Sequence, residues 1–598
     1  MNDNFIYTED GKTIIIVKNN SITPFSVPDE YSSFGLFDHL VNKEPKNVSV
    51  PNGVEEIMPH AFEGCKNIKS IRIPESVTQM GGWTFKNCES LETAHIGKGL
   101  TAIENCSFHN CTNLKTATLP ERLDSIGDFA FSGCPHLESV EFPDSMSKIG
   151  KYAFGGCESL KSITIPDGVS CIDECAFKKC TSLETVTLPQ GVSEIKMGTF
   201  QGCASLRTVI IPDSVTKIDK YAFKGCTNLE KVYLSKELAI INKFAFSGCT
   251  NLASITIPES VRIIDESAFE GCTRLKTVNL PDEIHEISNS CFRGCISLMS
   301  IRIPTHVEKI GFSAFKGCTC LRNVDLPENL KTICPFAFDD CKRLQSINLP
   351  PRMKEIGSYA FSDCEYLTTV SFPEGVSHID EHVFQRCIWL ETVTIPQGVK
   401  KIKESAFQGC LSLKTITIPN SVTKIGKSAF KDCKSLASIT IPERVWEIGD
   451  CAFDGCTSLK TVSFTNMLNR ISCSCYRGCK SLVSVRIPRY VEEIGDSAFE
   501  GCDNLKYFVF PPRLRTIGTC AFKNCKQLLS IKLYPDIEQI GTSAFEGCST
   551  LDTIIFPQGL EIRKDIFEGC SNLKSVVMTR ENGNSLRLSA ESGNIIFQ

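Results

Sequence analysis

The sequence is short of the features that usually place a protein. It has no run approaching the ~20 apolar residues of a membrane span. Its opening MNDNFIYTEDGKTIIIV lacks a basic segment followed by an apolar core, which argues against a signal peptide. No lipidation or anchoring signal stands in the final SGNIIFQ. Charge is nearly balanced: 64 Lys and Arg against 69 Asp and Glu leave a net −5, scattered rather than gathered. Without a basic stripe, nucleic acid is not an expected partner. No Gly/Ser-rich or charged linker interrupts the chain, so one domain is expected in spite of the 598 residues. Nine histidines are dispersed, and no Ser or Cys occupies a nucleophile motif. Localisation is left open between the cytoplasm and a cell surface or secretion by a non-classical route.

What is present is a period. Cysteines recur every 23 residues from Cys65, Cys88 and Cys111 to Cys548, and Cys570 arrives one residue early. Three residues before each stands an aromatic, Phe62, Phe85, Phe108 and onward to Phe545 and Phe567, with Tyr476 as the exception. Pro74, Pro120, Pro143, Pro166, Pro189 and Pro212 mark a turn, for which Gly97, Ser235, Thr465 and Tyr534 substitute. The template is C-x-x-L-x-x-V-x-L-P-x-x-V-x-x-I-x-x-x-A-F-x-x. A fixed period of this size marks a solenoid and lies in the leucine-rich-repeat window. Each coil of a solenoid contacts only its neighbours, so length adds coils rather than cores.

The 33 cysteines invite a disulfide reading. Twenty-three occupy the repeat position between apolar neighbours, where the expectation is a small hydrophobe in a buried ladder. Adjacent coils, ~4.8 Å apart, fall within disulfide reach, but successive ladder residues point the same way and their number is odd. The other ten, among them Cys106, Cys320 and Cys520, show no pairing pattern. Such abundance suits a reducing compartment or an anaerobic setting better than classical secretion.

Within a coil, Leu229, Val232 and Leu234 are expected inward, the last two in strand alternation. Proline ends that strand. Ser214–Ile218 gives a second short extended piece with Val215 and Ile218 inward, and YAFKGC a helical turn in which Phe223 fills the core and Gly225 permits the return. About 23 coils would make an arc ~110 Å long. Residues 1–27 read as a capping hairpin and residues 28–50 as a decayed first repeat without its Phe and Cys. Residues 51–578 read as the repeats and 579–598 as a second cap, a hairpin around Glu591, Ser592 and Gly593.

The cores IPDSVTKIDKYAFKGCTNL and IPNSVTKIGKSAFKDCKSL resemble the BspA-type leucine-rich repeats, over roughly nine tenths of the chain. The resemblance implies a leucine-rich-repeat arc with a parallel β-sheet on the concave face and short strands and helical turns on the others. Such proteins occur in mucosal bacteria and anaerobic protists, often at cell surfaces. The better-understood members bind host matrix or plasma proteins such as fibronectin and fibrinogen, other microbes, or host cells, and the resemblance implies a partner of that kind here. A second layer of repetition relates LASITIP from Leu252 to the same heptad from Leu436, an offset of 184 residues or eight coils. A surface patch presented twice would favour bivalent capture.

No chemistry interrupts the repeat convincingly. His378 and His382 have the spacing of a zinc pair on a helix, but they span a strand-to-turn region and no Glu follows His378. Gly426-Lys427-Ser428 resembles a phosphate loop whose earlier glycine is Ser421. Cys171 and Cys175, or Cys473 and Cys475, lack a second matching pair. No enzyme, metal or cofactor is expected.

The binding surface follows from strand parity. On the first strand the residues flanking the inward Val or Ile face solvent, and most are Ser or Thr, as at Ser162, Thr164, Thr185, Thr187, Ser254 and Thr256. That pattern suits a hydrated strand-forming ladder. The departures are the candidate protein-binding residues: Lys231 with Tyr233; Arg302, Asp325 and Asn348; and Arg486, Tyr507, Val509, Lys532 and Ile555. Trp389 and Trp446 interrupt polar slots elsewhere and suggest a lateral contact. The expected function is a monomeric, non-enzymatic protein-binding solenoid, adhesin-like or host-interacting. An intracellular scaffold is the alternative.

Overall fold

The computed structural model describes residues 5–7, 13–17, 47–464, 466–557, 560, 563–579, 585–591 and 594–595. Residues 28–46 of the expected decayed repeat, and the turns of the two expected capping hairpins, lie outside them. By contact density the chain divides into two compact units, residues 1–284 with 290–298, and residues 285–289 with 299–598. Both are parallel β-solenoids built from the same coil.

One coil shows why the sequence folds this way. The first strand, Lys231–Tyr233, buries Val232 and exposes its two neighbours. Leu229 is buried, whereas Leu234, expected inward, is half-buried. A turn at Ser235 leads to the second strand, Ile240–Ile241, with Ile241 inward. First strands of successive coils pair in parallel and in register, Thr208 beside Lys231 and Val209 beside Val232. Second strands do the same, with Lys217 beside Ile240 and Ile218 beside Ile241. A strand this short offers too few ladder bonds to stand alone; its neighbours complete it.

The Ala-Phe segment departs from the expected helical turn. Tyr221 has φ 60° and Gly225 φ 74°, so left-handed residues open and close the segment. Every second N–H of the segment points along the stack: Tyr221 donates to Lys243, Phe223 to Ala245 and Gly225 to Ser247. A helix would have kept those donors within the segment. Cross-coil bonding replaces it, and among the described residues the one helix is a short 3₁₀ turn, Lys564–Phe567.

The core is a set of ladders. In the first unit the rings from Phe62 to Phe292 stack coil on coil, with centroids 4.8 Å apart at Phe62–Phe85 and 5.6 Å at Phe269–Phe292. The second unit continues the pattern from Phe315 to Phe567, with Tyr476 in one slot. Beside the rings run the cysteines. None of the 33 is in a disulfide, and the ladder members are buried. Burial pushes the Cys226 and Cys272 thiols up to about 12.

The described ends differ from the coils. Phe5–Tyr7 pairs antiparallel with Thr13–Val17, which lies parallel to Glu56–Ile57. At the other end Ser575–Thr579 pairs antiparallel with Ser585–Glu591, and that strand with Asn594–Ile595. Antiparallel strands thus stand where a parallel stack would otherwise end in open edge groups.

Candidate functional site

The solvent-facing rows of the first-strand sheet are set by parity: with Val or Ile locked inward, the residues on either side project outward. Lys231 and Tyr233 are both exposed, on either side of Val232. Tyr233 lies in register with Ile210, and the two form an apolar pair exposed by 55% and 64%. Sequence reasoning named Tyr233 and missed Ile210. Counting outward from Val209 would have found it, but isoleucine in a strand reads first as core.

In the second unit Arg302 lies beside Asp325 in register, both exposed. Asn348 is exposed in the following coil, outside a strand. Further along, Arg486 is in register with Val509, and Ser484 with Tyr507. Tyr507 and Val509 are 56% and 58% exposed on either side of the buried Phe508. The Lys506 ammonium lies 5.4 Å from the Tyr507 ring centroid. Lys532 is exposed in register with Ile555, which is half-buried rather than free on the surface. The ten candidates therefore fall into three separate patches rather than one site.

Two exposed tyrosines escaped the sequence reading. Tyr490, in the turn after Arg486, has the Arg489 and Arg513 guanidiniums 4.8 and 5.4 Å from its ring centroid. Tyr366 occupies the slot of Trp389 one coil earlier, and both are more than half exposed. Trp446 stands apart, just before the strand Glu447–Ile448.

Elsewhere the surface is neutralised coil by coil. Glu92 lies between Lys69 and Lys115, at 3.3 and 3.1 Å, and hydrogen bonding first to Lys115 and then to Lys69 holds its carboxyl below the usual range. Solvent screening leaves such exposed pairs contributing little to stability.

The residues considered for chemistry are not gathered. His382 stacks on Tyr359 at 4.2 Å with Nδ1 3.1 Å from Gln385, while His378 lies on its strand beside Ser377. Lys196 donates to Cys171 and Asp173 at 3.5 and 3.3 Å, and Cys475 is buried in an alanine slot. Among the described residues no group of three or more His, Cys, Asp or Glu side chains is placed to hold a metal ion. No helix among them is long and apolar enough to cross a membrane.

A family model described as the BspA type leucine rich repeat region matches six overlapping stretches: residues 39–161, 147–276, 239–368, 285–414, 400–528 and 492–589. No curated protein matches the chain. Similar solved structures include a leucine-rich repeat protein from Bacteroides ovatus, 24% identical over 85% of this chain and 98% of that one, at a TM-score of 0.31. One from Eubacterium ventriosum is 26% identical over 50% and 83% of the two chains, at 0.38. One from T. pallidum is 30% identical over 33% and 82%, at 0.27.

Proposed function

The chain belongs to the BspA type leucine rich repeat family, and on that premise we propose that it is a monomeric, adhesin-like solenoid that binds host proteins from a cell surface or after secretion. Leucine-rich-repeat solenoids of this kind are generally non-enzymatic and act through protein–protein contact. The observation that carries the reading is the first-strand face. Rows of small hydroxyl side chains are interrupted by exposed Tyr233, Tyr507, Val509 and two arginines, Arg302 and Arg486. Exposed aromatic and arginine side chains on a rigid frame are the residue types that anchor protein interfaces.

The test is binding of the purified chain to immobilised fibronectin and fibrinogen, with protease treatment of intact cells to place the native protein. Binding that falls in the K231A/Y233A or R486A/Y507A/K532A variants, with unchanged melting, supports the reading. Absence of binding to both proteins, together with protection from protease, overturns it. The second reading is an intracellular scaffold. It is favoured by the 33 cysteines, none of them in a disulfide, since a reducing compartment keeps thiols reduced. Protection from protease with capture of the cell's own proteins is its expected outcome.

A further inference from the structure

The second unit carries a concentration of unpaired positive charge on which this function gains a ligand class. Arg486 and Lys532 project from first strands two coils apart, and Val509 lies between them in the outward row. In the adjoining turns stand Arg489 and Arg513, both exposed against the ring of Tyr490. The slot of Arg489 is neutral or acidic in the eight earlier coils of the same unit, with Glu328, Glu374 and Glu443 the acidic ones, and first becomes cationic here. Asp536 takes the slot of Arg513 one coil on and bounds the patch.

Two nearby cations are neutralised: Arg515 pairs with Glu538 at 3.3 Å and Lys526 with Asp503 at 3.2 Å. Arg486, Arg489, Arg513 and Lys532 enter no ion pair among the described residues. The tyrosines take up the cations instead, with the Lys532 ammonium 5.9 Å from the Tyr534 ring centroid. A guanidinium lying against a ring keeps its N–H fork available for a carboxylate.

We propose that this patch docks an extended acidic peptide segment of a partner protein. The inference rests on the protein-binding reading above and adds the partner's chemistry. Charge complementarity selects the anion, because four like charges without counterions favour one that brings several carboxylates. The apolar surface selects a peptide over a sulfated glycan. Tyr507 and Val509 are more than half exposed within the patch, and aliphatic or aromatic peptide side chains would cover them. Alternate residues of an extended chain lie ~6.6–6.8 Å apart, which spaces carboxylates along the outward row.

The experiment uses the full chain and a fluorescein-labelled dodecapeptide of the repeat Glu-Thr-Glu-Leu, read by fluorescence anisotropy. Binding is expected, weakening as salt rises from ~50 to ~200 mM. The R489E/R513E variant should lose about tenfold or more in affinity at unchanged melting temperature, and K161E, a substitution in the first unit, should lose nothing. Equal binding of the Gln-Thr-Gln-Leu isostere, indifference to R489E/R513E, or capture of heparin with no peptide binding overturns the proposal. If the peptide fails while K231A/Y233A still lowers binding to a protein ligand, only the acidic-peptide assignment falls and the protein-binding reading stands.

Discussion

The thiol of Cys249 donates to the carbonyl oxygen of Phe223, one coil back, at 3.3 Å. Cys226 does the same to Phe200 at 3.2 Å, and in the second unit Cys433 to Phe407 at 3.2 Å. The phenylalanine carbonyl already accepts the N–H of the cysteine in its own coil, Cys226 to Phe223 at 3.1 Å. The thiol therefore fills that oxygen's second lone pair inside the core. A buried carbonyl with two acceptor sites explains cysteine here, where an alkyl side chain would leave one site unused.

Replacing Cys249 with alanine should lower stability by ~1–2 kcal/mol, from the lost weak hydrogen bond and the small void beside Phe246. Urea midpoints of the wild type and C249A at a shared slope would measure it. An unchanged midpoint would show that the sulfur contact contributes nothing.

The same ladder sets a pH limit. An unfolded thiol ionises near ~8.5, while Cys226 and Cys272 in the fold stay protonated to about 12. Above the lower value the unfolded chain binds fewer protons than the folded one, so stability falls as pH rises. It is fully present below the unfolded pKa. Each such thiol removes up to ~1.4 kcal/mol per pH unit between the two limits, and the many buried thiols act together. Urea unfolding at pH 8 and pH 10 should show a sharply lower midpoint at the higher pH. Iodoacetamide at pH 8 should label half-exposed Cys171 and Cys320 in the native protein and spare Cys226 and Cys249.

Tyr476 occupies a phenylalanine slot, stacked between Phe453 and Phe499 at 5.3 and 5.5 Å. Its fully buried hydroxyl has no hydrogen-bond partner among the described residues. Burial drives its pKa upward, with the neighbouring Cys475 thiol adding to the shift. An unsatisfied buried hydroxyl costs ~1–3 kcal/mol, so Y476F should raise the melting temperature. A lower melting temperature for Y476F would mean that the hydroxyl is satisfied after all.

Two glycines should fail for different reasons. Gly225 has φ 74° and open space around a built Cβ, the closest atom being Gly202 Cα at 3.9 Å. G225A should therefore cost only the left-handed strain, ~1–2 kcal/mol. A Cβ on Gly311 would meet Asn289 N at 2.7 Å and Ile287 O at 2.8 Å, backbone atoms that cannot step aside. G311A should cost ~2–3 kcal/mol and melt lower than G225A. The reverse order would contradict the packing described between these coils.

Sequence and structure agree wherever the 23-residue period alone decides the outcome. Phe223 and Cys226 repeat at fixed offsets, so stacking coils in register must bring each onto its own copy, and both ladders were legible. Strand parity made Tyr233, Tyr507 and Val509 legible as outward-facing for the same reason. It would also have exposed Ile210, had its position been weighed above its residue type. The turn at Tyr221 was not legible, because Tyr-Ala-Phe has no local preference for left-handed backbone. Donation from Tyr221 to Lys243 in the next coil selects it. Nor was the patch around Tyr490, since Arg489 and Arg513 lie 24 residues apart in turns that no strand pattern reads.

What the sequence by itself determined is the coil: its length, its inward residues and the identity of its ladders, because repetition at a constant offset leaves one way to bury them. What only the tertiary structure decided is how neighbouring coils complete one another. Backbone donors turned outward find acceptors one coil away, thiols reach the carbonyl behind them, and two arginines meet one tyrosine. Each of these depends on a separation of a few ångströms across the stack, a distance that spacing along the chain does not contain.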